Sequence, residues 1–387
     1  MGLPGIGVGM MRHRIAGSIW TQVAESLRVD RNTSSSPVKR SKLDEQWTGL
    51  VNEEDWRLVF EARDQAGLDY ESKCVAQLSM LNALIRIFER EKGVMLPVIY
   101  QAVSDAWWLA LSLEQEVGKG AASRVMEDTA RTIHRAFTTS INERSQSAIS
   151  SFRESRRAGA FHLAAILLRI YFHLGQLNLI NNILRAMQAA ELLNQRALFP
   201  KSDIITFDYF IARYYLSRDE FDLAEEYLLE AAQLCPSRCS QLSCILQLLV
   251  PLKMLQHRSK PLEPVIEKLA PHFKEFCRGL IDLIQKGQVN DYAQAIEQNQ
   301  WRLVKQGTFG IYERLMHLVL LRHFIRIHRA LDGEARLPLK VLLPKGTGWD
   351  TGRLAGLLAV QIERGWIKGY LSQEREYLVL SQREPFP

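Results

Sequence analysis

Cys235, Cys239 and Cys244 stand with three and four residues between them, near the spacing at which thiolates share a metal. A structural zinc site needs a second Cys or His pair, and none follows at zinc spacing. Cys235 also falls at the end of a predicted helix. Glu313 and His317 are four apart on another predicted helix, where two ligands would share a face, but a third is missing. His323 and His328 are five apart and off a common face. Gly5-x-Gly7-x-Gly9 is not a dinucleotide fingerprint, because no strand precedes it and no βαβ unit follows. Lys345-Gly346-Thr347-Gly348 lacks the form of a phosphate loop, and there is no G-x-S-x-G elbow. These residues converge on no catalytic constellation, no cofactor and no metal, and the chain reads as a non-enzyme. Cys74 and Cys277 read as small core residues. Five scattered cysteines suit a reducing compartment.

What remains is binding. The net charge of +6 is unevenly spread. Residues 1–43 hold seven Lys/Arg against two Asp/Glu, and residues 301–387 hold fourteen against eight, so a slightly acidic body carries two basic ends. Arg322, Arg326 and Arg329 lie three or four apart and give one helix a basic face. Lys340, Lys345, Arg353, Arg364, Lys368 and Arg375 follow in the C-terminal segment. Such cations neutralise phosphates of RNA, and of DNA, without reading sequence. The same cations also solubilise a domain or meet an acidic protein, and both readings stay open.

Those side chains need elements to hold them. Residues 1–45 read as a disordered basic segment, Gly-rich at the start and interrupted by Asn32-Thr33-Ser34-Ser35-Ser36-Pro37. Within it, Ile15, Ile19, Val23 and Leu27 allow a short helix. Pro37 to Lys42 allows a nuclear localisation signal, and Arg12 and Arg14 allow a transit peptide. From residue 46 the helical period takes over, with N-terminal helical repeats expected over 46–205. Val75, Leu78, Leu81, Ile85 and Phe88 form a stripe between Tyr70 and Arg90. Leu96 to Glu116 is apolar on most faces, which suggests a helix buried between two others. Phe161 to Leu174 and Leu177 to Leu193 form a predicted hairpin turning at Gly175.

Residues 206–300 continue as repeat-like helices. Tyr209 to Tyr215 and Leu223 to Ala232 pair, with small Ala224 and Ala231 allowing close approach and Tyr215 and Tyr227 filling the gaps. This resembles a tetratricopeptide-type unit, which must stack on neighbours to bury its apolar face. Val265 to Cys277, Leu280 to Lys286 and Tyr292 to Asn299 read as further short helices. Residues 301–387 read as a winged helix. Ile311 to Leu331 is one long helix, Pro338 and Pro344 bracket an extended or bent piece, and Gly346, Gly348 and Gly352 make a loop. Asp350 or Thr351 caps a helix ending at Gly365. Trp366 to Leu371 and Tyr377 to Leu380 read as a β wing. The expected fold is therefore all-α, a tetratricopeptide-like solenoid ending in a winged helix with a small β wing. No run of about 18 uncharged apolar residues suggests a membrane span.

A helical-repeat body running into a winged helix resembles the PCI-domain proteins. The words of this chain carry the likeness over roughly residues 90–387. Gly365-Trp366-Ile367-Lys368-Gly369-Tyr370-Leu371-Ser372 is similar to the family's wing strand, and Leu378-Val379-Leu380-Ser381 with Pro385-Phe386-Pro387 to its close. Leu249-Val250-Pro251-Leu252-Lys253-Met254-Leu255, Leu168 to Phe172, Leu96 to Tyr100 and Phe221 to Leu228 also fit. Residues 1–45 have no clear counterpart, and Leu337 to Trp349 is shorter and richer in Gly and Pro than the family's second winged-helix helix. Among PCI proteins, the words are similar to the subunit of the nuclear mRNA transcription-and-export complex and to its signalosome-associated relative. The resemblance implies a non-enzymatic scaffold in the nucleus, at the nuclear pore, with some cytoplasmic pool. Its implied partners are a large helical scaffold protein, a small acidic Sem/Dss-type protein, and RNA or DNA without sequence preference. The alternative it leaves open is a subunit of a proteasome-lid- or signalosome-type assembly with a purely protein–protein role.

Overall fold

The computed structural model describes residues 53–64, 69–90, 93–143, 152, 155–237, 239–372 and 374–387. The expected disordered segment 1–45, with its candidate short helix and localisation signals, lies outside them. The chain divides into two compact units between Tyr214 and Tyr215.

The first unit contains α1 (Glu53–Asp64), α2 (Tyr70–Arg90), α3 (Leu96–Val117), α4 (Lys119–Ile141), α5 (Ala160–Leu174), α6 (Asn178–Ala189) and most of α7 (Lys201–Ser217). The inner line of α2 runs Cys74, Gln77, Leu81, Leu84, Phe88, alternating steps of three and four. Val75, expected on the stripe, is instead 59 % exposed, because one residue is a rotation of about 100° away from Cys74. Pro97 stands in the first turn of α3, where its missing N–H costs nothing. Gly175 (φ +73°) closes α5 in the left-handed conformation and turns the chain into α6, as the hairpin reading expects. Each helix from α1 to α5 packs on the next, α2 also touches α4, and α3 touches α5. That is the stacking of a helical-repeat array. Polar links cross the stack: Gln77 donates to the Ala102 carbonyl, and Tyr171 meets His134 Nδ1 at 3.2 Å.

The second unit begins with α8 (Phe221–Leu234) and α9 (Ser240–His257). Ala224 and Ala231 are fully buried, and α8 packs on α9. Tyr215 and Tyr227 stack with centroids 5.7 Å apart. The next helices are α10 (Glu263–Ile266), α11 (Pro271–Lys286), α12 (Val289–Gln298) and α13 (Gln300–Gln306). The expected break between Val265–Cys277 and Leu280–Lys286 is misplaced. Pro271 starts a new helix because it fits the first turn, and Gly279 lies inside α11 without ending it.

α14 (Phe309–Ala330) is the hub, packed by α9, α11, α12 and α13. At Gly287 (φ +61°) the end of α11 meets the backbone of α14 so closely that a Cβ would lie 2.6 Å from His323 N. After α14 come β1 (Arg336–Pro338), α15 (Leu339–Leu342), α16 (Thr351–Glu363), β2 (Gly369–Ser372) and β3 (Tyr377–Leu380), with α16 against α14. The strands form an antiparallel sheet of order β1-β3-β2, pairing Leu337 with Leu378 and Leu371 with Leu378. Helix, strand, helix, helix, hairpin is the winged-helix arrangement, and the all-α expectation with a small wing holds.

Three local expectations need correction. The bent piece between Pro338 and Pro344 holds a strand residue followed by a four-residue helix, so the second winged-helix helix is reduced to one turn. Gly352 belongs to α16, not to the preceding loop. The wing strand starts at Gly369 rather than Trp366. The cause is a Schellman motif in which Trp366 N–H bonds to the Gln361 carbonyl and Gly365 N–H to the Ile362 carbonyl. Residues 365–367 are thereby committed to closing α16.

Candidate interaction surface of the winged helix

α16 begins where Asp350 accepts the Arg353 N–H at 2.7 Å. Its inner face buries Leu354 and Leu358, and the buried Gln361 donates to the His317 carbonyl of α14 at 3.0 Å. These contacts fix the helix and leave its other face to solvent. β2 and β3 place Leu371, Leu378 and Leu380 on one face of the sheet and Tyr370, Val379 and Tyr377 on the other. Tyr370 is 62 % exposed and Tyr377 38 %. Gly369 is required by close approach, since a Cβ there would stand 2.3 Å from the Val379 oxygen. The motif Gly365, Trp366, Ile367, Lys368, Gly369 and Tyr370 thus contributes a helix stop, a buried anchor (Ile367), and the first strand residues.

The candidate cations are in differing situations. Lys340 pairs with Glu376 at 3.4 Å, and Lys368 pairs with Glu384. Arg353 lies 4.7 Å from the Trp349 ring centroid, and Arg364 lies 5.5 Å from that of Trp366. Arg326 donates to the Lys286 carbonyl. Arg322, Arg329, Lys345 and Arg375 are exposed, without an acidic partner among the described residues. Arg322 shares a small cleft with Arg258 and Lys260. The expected basic face on α14 is therefore real in position, while five of the nine cations already have a contact within the chain.

The remaining chemistry-bearing residues are dispersed. Glu313 is exposed, and burial, then Arg364 and Arg314 nearby, lowers the pKa of His317. Burial likewise lowers the pKa of His323, with Arg326 adding to it. Cys74 and Cys277 sit in the core, their thiols pushed by burial to about 12 and about 11. Cys235 is buried, Cys239 half-buried and Cys244 exposed. Among the described residues, no group of three or more His, Cys, Asp or Glu is placed to hold a metal ion, and no helix is long and apolar enough to cross a membrane. The sequence reading overlooked Trp301, which is 81 % exposed. It stands on a seven-residue helix whose buried anchor is Leu303, two residues and about 200° away, so the ring faces solvent.

A helical-repeat array that ends in a winged helix defines the class of the chain. No family model matches it. It is 27 % identical over 369 residues to a protein of Schizosaccharomyces pombe named protein CSN12 homolog, covering 90 % of this chain and 85 % of that protein. It is 27 % identical over 382 residues to the COP9 signalosome complex subunit 12 of Eremothecium gossypii, covering 87 % of this chain and 90 % of that one. It is 24 % identical over 323 residues to the PCI domain-containing protein 2 of Xenopus laevis, covering 80 % and 78 %. These likenesses support a PCI-domain protein.

Proposed function

We propose that this chain is a non-enzymatic scaffold subunit of a signalosome-type assembly, holding neighbouring subunits through its repeat array and its winged helix. The observation that carries this reading is the extent of the likeness. The relative named as a signalosome subunit aligns along nearly the whole chain, repeats and winged helix together. The winged-helix geometry agrees with it. Lys340 and Lys368 are paired with Glu376 and Glu384, which leaves less charge for phosphates there. Affinity purification of the tagged chain, with its stable partners identified by mass spectrometry, tests the reading. Signalosome-type subunits are the expected partners, and a set lacking them overturns it.

A second reading keeps the nuclear mRNA export complex, with a large helical scaffold, a small acidic Sem/Dss-type protein and RNA as partners. Exposed Arg322, Arg329, Lys345 and Arg375 favour it, because they remain available for phosphates. Reversing these residues to Glu leaves stability little changed, as exposed charges contribute little. On this reading the reversal weakens RNA binding by the partner-bound complex and flattens its salt dependence, by about one unit of slope for each phosphate no longer neutralised. Equal slopes for the wild type and the variant exclude these residues from phosphate contact.

A further inference from the structure

Two cysteines bound the corner between α8 and α9. Cys235 follows the last residue of α8, and Cys239 precedes the first residue of α9. Both are extended, with φ −77° and ψ 129° at Cys235 and φ −82° and ψ 133° at Cys239. Backbone bonds bend the chain tightly between them. Cys235 N–H donates to the Ala231 carbonyl at 3.1 Å, which ends α8. Cys239 N–H donates to the Pro236 carbonyl at 3.0 Å, which closes a β-turn. Proline fixes φ at the start of that turn. The two side chains are thereby brought together, and the Cys235 S–H donates to the sulfur of Cys239. The Cys239 sulfur is also 3.8 Å from Gln241 Oε1.

The two sulfurs differ in access. Cys235 is 7 % exposed, whereas Cys239 is half-buried and reaches solvent. Burial, then the neighbouring Cys239, pushes the Cys235 thiol up, so it stays protonated and shielded. An oxidant arriving from solvent meets Cys239 first, with a second thiol already in contact behind it. No other cysteine has such a place. Cys74 and Cys277 are buried, and the exposed Cys244 lies five residues along, about 140° around the helix from Cys239.

We propose that Cys235 and Cys239 form a peroxide-sensitive dithiol, in which Cys239 is oxidised first and Cys235 then closes a disulfide that locks the α8–α9 corner. In the first step Cys239, as the thiolate, attacks one oxygen of hydrogen peroxide. The O–O bond breaks, Cys239 becomes a sulfenic acid, and the departing hydroxide takes up the proton that Cys239 released, giving one water. In the second step the Cys235 sulfur attacks that of Cys239. The S–O bond breaks, and the hydroxyl leaves with the Cys235 proton as a second water. Two thiols and one peroxide thus give one disulfide and two waters. A thiol reductant reverses the change by exchange, so a reducing compartment resets the site. The bond joins the end of α8 to the start of α9, and α9 packs on the hub α14. The proposal does not depend on which assembly the chain joins.

The sequence makes the test direct. Trypsin cuts after Arg218, Arg238 and Lys253, so Cys235 falls in peptide 219–238, and Cys239 and Cys244 fall in peptide 239–253. The purified full chain is treated with a small molar excess of hydrogen peroxide, its remaining thiols are alkylated, and it is digested without reductant. The two peptides are expected to stay joined, two hydrogens lighter than their sum, and to separate on adding dithiothreitol. The protein should still run as a monomer on a non-reducing gel. Cys244→Ser should keep the link, and Cys239→Ser should lose it. Cys235→Ser should leave a sulfenic acid on Cys239 that dimedone traps. Cys239→Ser, a change at a half-buried corner, carries the test if Cys235→Ser fails to fold. Hydrogen exchange across the ends of α8 and α9 should slow in the oxidised wild type. Any of four results overturns the proposal: separate peptides after peroxide, a link that survives in Cys239→Ser, a link found only in dimers, or exchange at the corner unchanged by oxidation.

Discussion

From α1 to α5 each helix leans on its neighbours in sequence, whereas in the C-terminal unit α9, α11, α12, α13 and α16 all pack against α14. In the first arrangement stability is close to a sum over adjacent interfaces. In the second, one helix is a shared wall, and whatever displaces it disturbs everything built on it, including the helix that positions the wing. The candidate interaction surface therefore depends on contacts far from it in sequence, while the repeat array tolerates a local fault.

The harshest way to probe that contrast is Gly287→Ala. The substitution imposes left-handed strain of roughly 1–2 kcal/mol on an alanine. It also drives a Cβ into the His323 backbone, adding about 1–3 kcal/mol. We expect a total near the sum of the two, with hydrogen exchange accelerated across the whole second unit. A loss confined to α11 would break the idea of a hub. Gly369→Val should cost about 2–3 kcal/mol, since its Cβ meets the Val379 carbonyl. Its exchange footprint should stay within β2 and β3 and the end of α16, and partner assembly through the wing should weaken. Unchanged melting and unchanged co-purification would count against it. Ala231→Leu should cost about 1–3 kcal/mol through overpacking of α8 on α9, measured by urea denaturation.

The smallest expected difference is in response to acid. His317 and His323 of the second unit have pKa values held below 6.5 by burial, so the unfolded chain binds more protons there. Stability is then full above about pH 6.5 and falls as pH drops from there toward the folded values. In the first unit His134 is shifted in the same direction. Exchange measured at pH 7.5 and pH 5.5 should show the larger loss of protection in the second unit. An equal loss in both would remove this part of the contrast.

Local signals in the sequence carried far. Gly365, Asp350 and Gly175 were legible as helix ends because capping depends on residues within one turn. Ala224 and Ala231 were legible as close-packing positions because only a small side chain leaves such a gap. The one-turn α15 was not, since four residues show no period. The start of β2 was not, since Trp366 and Ile367 look like strand residues until the carbonyl of Gln361 claims their N–H groups. The basic residues were legible as charge, but not as partners. Lys340 finds Glu376 thirty-six residues on, and no spacing rule announces that.

The order of the sheet has a consequence in time. β3 lies between β1 and β2, but it follows both in the chain. Arg336–Pro338 and Gly369–Ser372 have their pairing edges empty until Tyr377–Leu380 is made and free to pair. The wing therefore closes in a single late event, after the helices of the repeat array have had time to form. A released chain truncated before Tyr377 would present two unpaired strands at once, the form in which such edges most readily join the wrong neighbour.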